Sequence, residues 1–243
     1  MFRSTLKGSL PVIGLLLIGS LTQAQRSVET QGLLWSGYFL KMKINDNYLI
    51  LQEVEERAYG FPWRQHQFVL RSQLQRNLPK GWRANLGFTY FLQTLPHDPF
   101  SEEMEHLSEL RPQLEFGNRQ TVHERWEIDH RYRTDFRFFE DDQKQFEFGS
   151  VRWRYRIQVS YRPADWLALK AFDEIHIHVG PVVEKNVFDQ NRVGASAHFR
   201  PDKAWGAELT YFHWFQQRPS GTDFYSRHIV RLTFHHTINL KRN

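Results

Sequence analysis

Ionisable side chains occupy every second position between Val122 and Phe138. The series is His123, Arg125, Glu127, Asp129, Arg131, Arg133, Asp135 and Arg137. The residues between them are mostly apolar or aromatic. Successive side chains of a strand point to opposite faces, whereas a helix would scatter these charges around its circumference. The run therefore predicts a long strand with one charged face and one apolar face.

The same alternation recurs along the rest of the chain and predicts a sheet built of hairpins. The alternating segments lie near residues 33–44, 48–59, 65–77, 82–93, 105–117, 121–139, 146–162, 166–179, 187–200, 204–217 and 224–240. Tight turns rich in Gly, Pro, Asn and Asp are predicted at 78–81, 117–120, 163–165 and 201–203, alternating with longer loops. Bacterial barrels have an even number of strands, so we favour twelve strands, with a further one in 25–32 or in a loop.

The expected fold class is all-β: a transmembrane, antiparallel, up-and-down β-barrel of about 10–12 strands. A Lys or Arg facing lipid at the bilayer midplane would cost about 2–4 kcal/mol, so we expect the charged faces to line the lumen. Alternation alone does not distinguish inside from outside. A soluble periplasmic β-barrel binding protein, with its apolar faces turned inward, is therefore the alternative.

The N-terminus has the pattern of an export signal. Arg3 and Lys7 precede an apolar run from Leu10 to Leu21, and small residues lead to a cleavage position after Ala24. The run is shorter than the roughly 20 apolar residues of a membrane-spanning helix. We predict a signal peptide over 1–24 and a barrel domain over 25–243, located in the cell outer membrane.

The composition limits the possible partners. The 32 Lys and Arg residues exceed the 27 Asp and Glu residues only slightly, so nucleic acid is not an expected partner. The chain has no cysteine, and its stability must come from the sheet and its packing. We expect outer-membrane lipid and the barrel-insertion machinery as partners and no cofactor. The composition does not identify a cargo.

The candidate functional residues are charged side chains of the predicted inner faces. They are Glu109, Arg111, Glu115, Arg125, Glu127, Asp129, Arg131, Arg133, Arg152, Arg154, Arg156, Glu174 and Arg192. Arg suits such a network because its planar fork can bind a carboxylate through two hydrogen bonds. The network either fills the interior with cross-strand ion pairs or lines a water-filled pore. Side chains this long fill much of a small barrel, so we favour a filled or narrow lumen, with a structural or narrow-pore transport role.

Weaker patterns suggest other chemistry. His176 and His178 share one strand face and are candidate metal ligands, but the spacing supplies no third ligand, so no metal site is predicted. Ser226 and His228, on one face with His236, suggest a lipid-acting hydrolase. The chain has no G-x-S-x-G elbow, and we favour a non-enzymatic role. Membrane-interface anchors are predicted at four tryptophans near segment ends: Trp35, Trp63, Trp82 and Trp205.

Five motifs occur in a characteristic order. They are Glu-His-Leu-Ser-Glu-Leu-Arg (105–111), His-Glu-Arg-Trp-Glu-Ile-Asp-His-Arg-Tyr-Arg (123–133), Arg-Trp-Arg-Tyr-Arg (152–156), Asp-Glu-Ile-His-Ile (173–177) and Phe-Asp-Gln-Asn-Arg (188–192). Their order and spacing resemble the uncharacterised outer-membrane β-barrel family known as domain of unknown function 2490, over most of the chain after the signal. The resemblance implies an outer-membrane β-barrel of Gram-negative bacteria. It implies no established activity and therefore no catalytic residue.

Overall fold

The computed structural model describes residues 27–183 and 185–240, and the signal peptide predicted over 1–24 lies outside them. Within these residues the chain forms eleven β-strands. They are β1 (Val28–Lys43), β2 (Tyr48–Tyr59), β3 (Arg64–Asn77), β4 (Trp82–Leu95), β5 (Glu105–His123), β6 (Trp126–Glu140), β7 (Phe146–Ala164), β8 (Leu167–Val179), β9 (Phe188–Phe199), β10 (Trp205–Gln217) and β11 (Phe224–Asn239). In the same part of the chain, no helix is long and apolar enough to cross a membrane.

The strands form one closed barrel in which each pairs antiparallel with the next along the chain. β1 and β11 close it and run parallel, from Val28 opposite Phe224 to Lys43 opposite Asn239. An odd number of alternating strands brings the first and the last into the same direction. The predicted all-β up-and-down barrel is confirmed. The preference for twelve strands is wrong for the described residues, because 28–32 are the beginning of β1 and pair with β11.

The barrel wall carries apolar side chains outside and ionised side chains inside. On the outer surface, Leu86 and Leu209 remain 63% and 56% exposed. On the inner surface, Glu109 and Asp135 are both 0% exposed. A barrel that folds in water buries its apolar side chains, because removing apolar surface from water drives folding. The outer wall has the opposite character and is suited to contact with lipid.

The two ends of the barrel differ in the length of their connections. At one end, which we call the short-turn rim, the connections are 44–47, 78–81, 124–125, 165–166 and 200–204. At the other, the long-loop rim, they are 60–63, 96–104, 141–145, 180–187 and 218–223. The described chain starts at the long-loop rim with β1 and ends at the short-turn rim with β11.

The turn predicted at 117–120 is wrong. The alternating run from Val122 to Phe138, which predicted a single strand, covers the end of β5 and most of β6. β5 continues to His123, and β6 begins at Trp126 after a two-residue turn. Arg125 was expected in the lumen but lies in this turn, where its side chain is exposed and donates to the Pro163 carbonyl at 2.9 Å. Odd-numbered residues face inward on both strands, so the alternation continues through the turn and conceals it.

Gly117 has a packing role in place of the predicted turn role. It lies within the β5 ladder, opposite Arg83 of β4. A Cβ at this position would come within 2.4 Å of the Arg83 guanidinium. Glycine therefore leaves the space through which Arg83 reaches Asp129 of β6, at 2.6 and 2.9 Å.

The lumen also contains an apolar cluster, formed by Leu33, Trp35, Tyr59, Phe172, Phe212, Trp214 and Ile229. Trp35 was predicted as an interface anchor, and this is wrong: it is 3% exposed and faces inward, where the Arg57 guanidinium lies 3.9 Å from its ring centroid. Trp63, Trp82 and Trp205 are exposed near the rims. Most members of the apolar cluster lie on the side where β1 meets β11, on β1, β2, β10 and β11.

Candidate functional site: the charged lumen

Ion pairs link neighbouring strands along the inner wall in layers, the first of which lies near the short-turn rim. Asp129 accepts two hydrogen bonds from Arg83, at 2.9 and 2.6 Å, and a third from Arg119 at 3.0 Å. Glu127 accepts one from Arg162 at 3.0 Å. These residues come from β4, β5, β6 and β7, so the layer helps to hold four consecutive strands in register.

A second layer lies deeper in the barrel. Its ion pairs are Arg133–Glu115 at 2.5 Å, Arg131–Glu174 at 2.7 Å and Arg154–Asp135 at 2.5 Å. Most of these side chains are less than a tenth exposed. An isolated charge in such a position would cost several kcal/mol, so each ion depends on its partner.

The third layer faces the long-loop rim and is centred on Glu109. This carboxylate accepts two hydrogen bonds from Arg111, both at 2.6 Å, and two from Arg137, at 2.5 and 3.0 Å. Beside it, Arg152 and Asp189 form an ion pair at 2.8 Å. Asp189 was not predicted, because a register shift between His176 and Ile177, where β8 pairs with β9, turns it inward against the strand alternation.

The predicted lumen residues other than Arg125 lie on the inner wall, and most join these layers. Two of these predicted arginines, Arg192 and Arg156, form no ion pair with any described residue. Arg192 donates to Gln190 at 3.2 and 3.0 Å, and its guanidinium lies 4.6 Å from the Trp214 ring. Arg156 donates to Gln158 at 2.7 Å and stacks 3.9 Å over Phe172.

The centre of the lumen holds a small cavity of about 50 Å³, which we call the central chamber. Among the described residues its lining is Arg57, Gln67, Arg71, Phe91, Gln93, Arg111, Arg137, Arg152, Arg154, Gln190, Arg192, Trp214 and Gln216. This lining contains seven arginines and no carboxylate. Arg111 stacks on Phe91 at 3.7 Å and Arg57 on Trp35 at 3.9 Å, so aromatic rings fix the guanidinium planes.

Larger cavities lie at the two ends of the barrel. The cavity of about 330 Å³ at the long-loop rim shares Gln93, Arg137, Arg152 and Gln216 with the central chamber, so the two are contiguous. The cavity at the short-turn rim has a volume of about 220 Å³ and shares none of the described chamber residues. Between them lies the second ion-pair layer. The two end cavities share no described lining residue, so the ion pairs of the second layer separate them.

The histidines of the lumen are divided between two places. His176 is completely buried, and its Nε2 lies 3.4 Å from Glu174, whereas His178 is partly buried. One group of described residues brings three potential metal-ligand atoms within 4.8 Å of one another: His198, Glu208 and His235. The Lys170 ammonium lies 2.7 Å from the Glu208 carboxylate and 3.3 Å from Nδ1 of His198, so a positive charge already neutralises this carboxylate.

His97 lies in the 96–104 loop and faces the long-loop cavity. Burial, together with the positive charges of Arg227, Arg64 and Arg218, lowers its pKa to about 3. Its ring packs 5.1 Å from that of His66 and 6.1 Å from that of Tyr225. His97 is therefore neutral at ordinary pH and closes one side of the long-loop entrance.

The outer wall carries a Ser–His contact that differs from the predicted one. Ser226 Oγ lies 2.9 Å from Nε2 of His213 on β10, not near His228. His228 is bonded to the Tyr211 hydroxyl at 2.8 Å. The sequence did not indicate His213, because it becomes a neighbour of Ser226 only through the register between β10 and β11.

Comparisons with known proteins give a family match and a similar solved structure. The model of a protein family described as "Protein of unknown function (DUF2490)" matches residues 32–225. No curated protein matches the sequence. Among solved structures, a NanC porin in a rhombohedral crystal form is similar at 10% identity and a TM-score of 0.47, covering 80% of this chain and 93% of that one. The family match spans most of the barrel, and the chain therefore belongs to the DUF2490 family.

Proposed function

We propose that this protein is an outer-membrane β-barrel with a narrow, charge-lined pore. The observation that carries the proposal is the distribution of side chains in the closed wall, apolar outside and ionised inside. Charged groups on the lipid side would be costly, whereas a hydrated lumen accommodates them. The chain would reach this membrane through its N-terminal signal and the barrel-insertion machinery, with lipid as its outer partner.

The arrangement of cavities supports a pore that is constricted rather than wide. The cavities at the two rims share no described lining residue, and the second ion-pair layer, which includes Arg133 and Glu115 on the adjacent strands β6 and β5, lies between them. We expect small, discrete conductance steps when the folded protein is inserted into planar bilayers. Replacing both Arg133 and Glu115 by alanine removes a neutral pair and should raise the conductance without reversing the ion selectivity.

A matched control uses an ion pair outside the constriction. Lys144 and Glu140 lie 3.6 Å apart at the long-loop rim, and the lysine side chain is 75% exposed. Their double replacement by alanine also removes a neutral pair and should leave conductance unchanged. If neither the native protein nor the widened variant conducts, the transport proposal fails and a structural role remains. Recovery of the mature protein in the soluble periplasmic fraction would contradict the membrane location.

The 2.9 Å contact between Ser226 and His213 supports a second candidate, a lipid-acting hydrolase on the outer wall. In a hydrolase, a third group orients the histidine. Among the described residues, no carboxylate or amide forms a hydrogen bond with His213. The hydrolase candidate requires fatty-acid release from phospholipid vesicles that is lost in Ser226→Ala and His213→Ala but retained in His228→Ala.

A further inference from the structure

The arginines of the central chamber outnumber the carboxylates available to them. Among the described residues, ion pairs link Arg57 to Glu55, Arg71 to Glu53, Arg111 and Arg137 to Glu109, Arg152 to Asp189, and Arg154 to Asp135. Seven guanidinium groups thus share five carboxylates, because Glu109 serves two arginines and Arg192 has none. Guanidinium groups remain protonated in proteins, so the chamber carries an excess of two positive charges.

This excess lies among buried side chains, since six of the seven arginines are less than a tenth exposed. None of the five carboxylates lines the chamber, so arginines and neutral side chains surround its volume of about 50 Å³. Arg154 is 8% exposed, and its Nε has no hydrogen-bond partner among the described residues. Repulsion between like charges is stronger in a low-dielectric interior than in bulk water. A negative charge in the chamber would relieve this repulsion and satisfy donors that the protein leaves free.

We propose that the central chamber binds a small oxyanion, either phosphate or the carboxylate group of a small solute. Planar guanidinium forks favour such ligands because they donate two parallel hydrogen bonds to paired oxygens. The chamber exceeds the roughly 30 Å³ that one water molecule occupies in the liquid. The ligand enters from the long-loop cavity, which shares Arg137 and Arg152 with the chamber. This inference rests on the proposed pore only for the route of entry.

Arg192 provides the sharpest test of the chamber. Arg192 has no carboxylate partner, so Arg192→Gln deprives no buried carboxylate of its counter-ion and is compatible with folding. The probe is inorganic phosphate, titrated calorimetrically into the folded full-length protein in detergent micelles against chloride at equal ionic strength. The native protein should bind phosphate saturably and chloride more weakly. Loss of a charge-assisted hydrogen bond in Arg192→Gln should weaken phosphate binding about tenfold or more.

Arg200→Gln is the matched control, because Arg200 is exposed at the short-turn rim and forms no ion pair with the described residues. It should bind phosphate as the native protein does. Arg192→Lys retains the charge but loses the fork, and its affinity should fall between those of the native protein and Arg192→Gln. Acetate, titrated in the same way, distinguishes a carboxylate ligand from phosphate.

The outcomes separate this inference from the pore proposal. Saturable phosphate binding without bilayer conductance would support the chamber and contradict the pore. Conductance without saturable binding of phosphate or acetate to the native protein would overturn the chamber and leave the pore. Equal phosphate affinity in folded Arg192→Gln and the native protein would also overturn it. If Arg192→Gln does not fold, the native titrations and Arg192→Lys decide the question.

Discussion

Glu109 is the residue whose loss should most clearly expose the energetics of the lumen. Its carboxylate is 0% exposed and accepts four charge-assisted hydrogen bonds, from Arg111 and Arg137, at 2.5 to 3.0 Å. Glu109→Gln keeps the shape but places an amide N–H₂ group against a guanidinium and leaves two buried cations without their anion. Removing one partner of a buried ion pair typically costs about 3–5 kcal/mol. Folded proteins have a total stability of only about 5–15 kcal/mol.

The assay is urea unfolding of the barrel refolded in lipid vesicles, followed by tryptophan fluorescence. Glu105→Gln is the control, because Glu105 lies on the same strand but is exposed, and its change should stay within about 0.5 kcal/mol. Combining Glu109→Gln with Arg137→Gln should cost less than the sum of the two single changes, since it removes one of the stranded cations. If Glu109→Gln lowers the free energy of unfolding no more than Glu105→Gln does, the reasoning that Glu109 stabilises a buried cluster of ion pairs is refuted.

Three further predictions concern the outer wall, a loop and a turn. Leu232→Arg places a charge on the outer face near the middle of β11 and should destabilise the barrel in lipid by about 2–4 kcal/mol; an unchanged urea midpoint would argue against a lipid-facing wall. Burial and the nearby arginines lower the pKa of His97 to about 3, so at mildly acidic pH the unfolded chain binds a proton there that the folded chain does not. The free energy of unfolding should therefore fall as the pH drops below about 6.5, by up to about 1.4 kcal/mol per pH unit. Unfolding measurements between pH 4 and 7 should show a smaller slope for His97→Gln than for the native protein. Gly81→Ala should lower the free energy of unfolding by at least about 1–2 kcal/mol, because Gly81 has a φ of 76° and a Cβ would lie 2.1 Å from the Arg119 carbonyl oxygen. The control is Gly32→Ala, since a Cβ at Gly32 would meet open space. Equal unfolding midpoints for the two variants would contradict this account.

Much of the architecture could be predicted because strand alternation is a local property. The period of two located most strand boundaries to within a few residues, β2 at Tyr48–Tyr59 among them, and identified the charged series that faces inward. The turn at 117–120 was mispredicted, because Gly117 and Asn118 have turn-forming character but also suit a strand crossed by the Arg83 side chain. Local composition does not distinguish these two uses of glycine.

The candidate site was predictable in kind but not in detail. The sequence indicated that Arg and Glu would face the lumen, yet which carboxylate serves which arginine depends on strand register. Asp189 joins Arg152 only because a register shift between β8 and β9 turns it inward. Likewise, His213 approaches Ser226 only through the pairing of β10 with β11. Such contacts join residues far apart in the chain, so no local pattern encodes them.

The amino-acid sequence by itself determined a two-faced wall of hairpin strands, because side-chain direction alternates with every residue of an extended backbone. Only the tertiary structure decided how that wall closes, through parallel pairing of β1 with β11, and which face encloses the lumen. Closure also brings seven arginines from six strands around one small chamber with fewer carboxylates than cations. Charge along a strand is a property of the sequence, but charge balance at a point in space arises only when the strands are brought together.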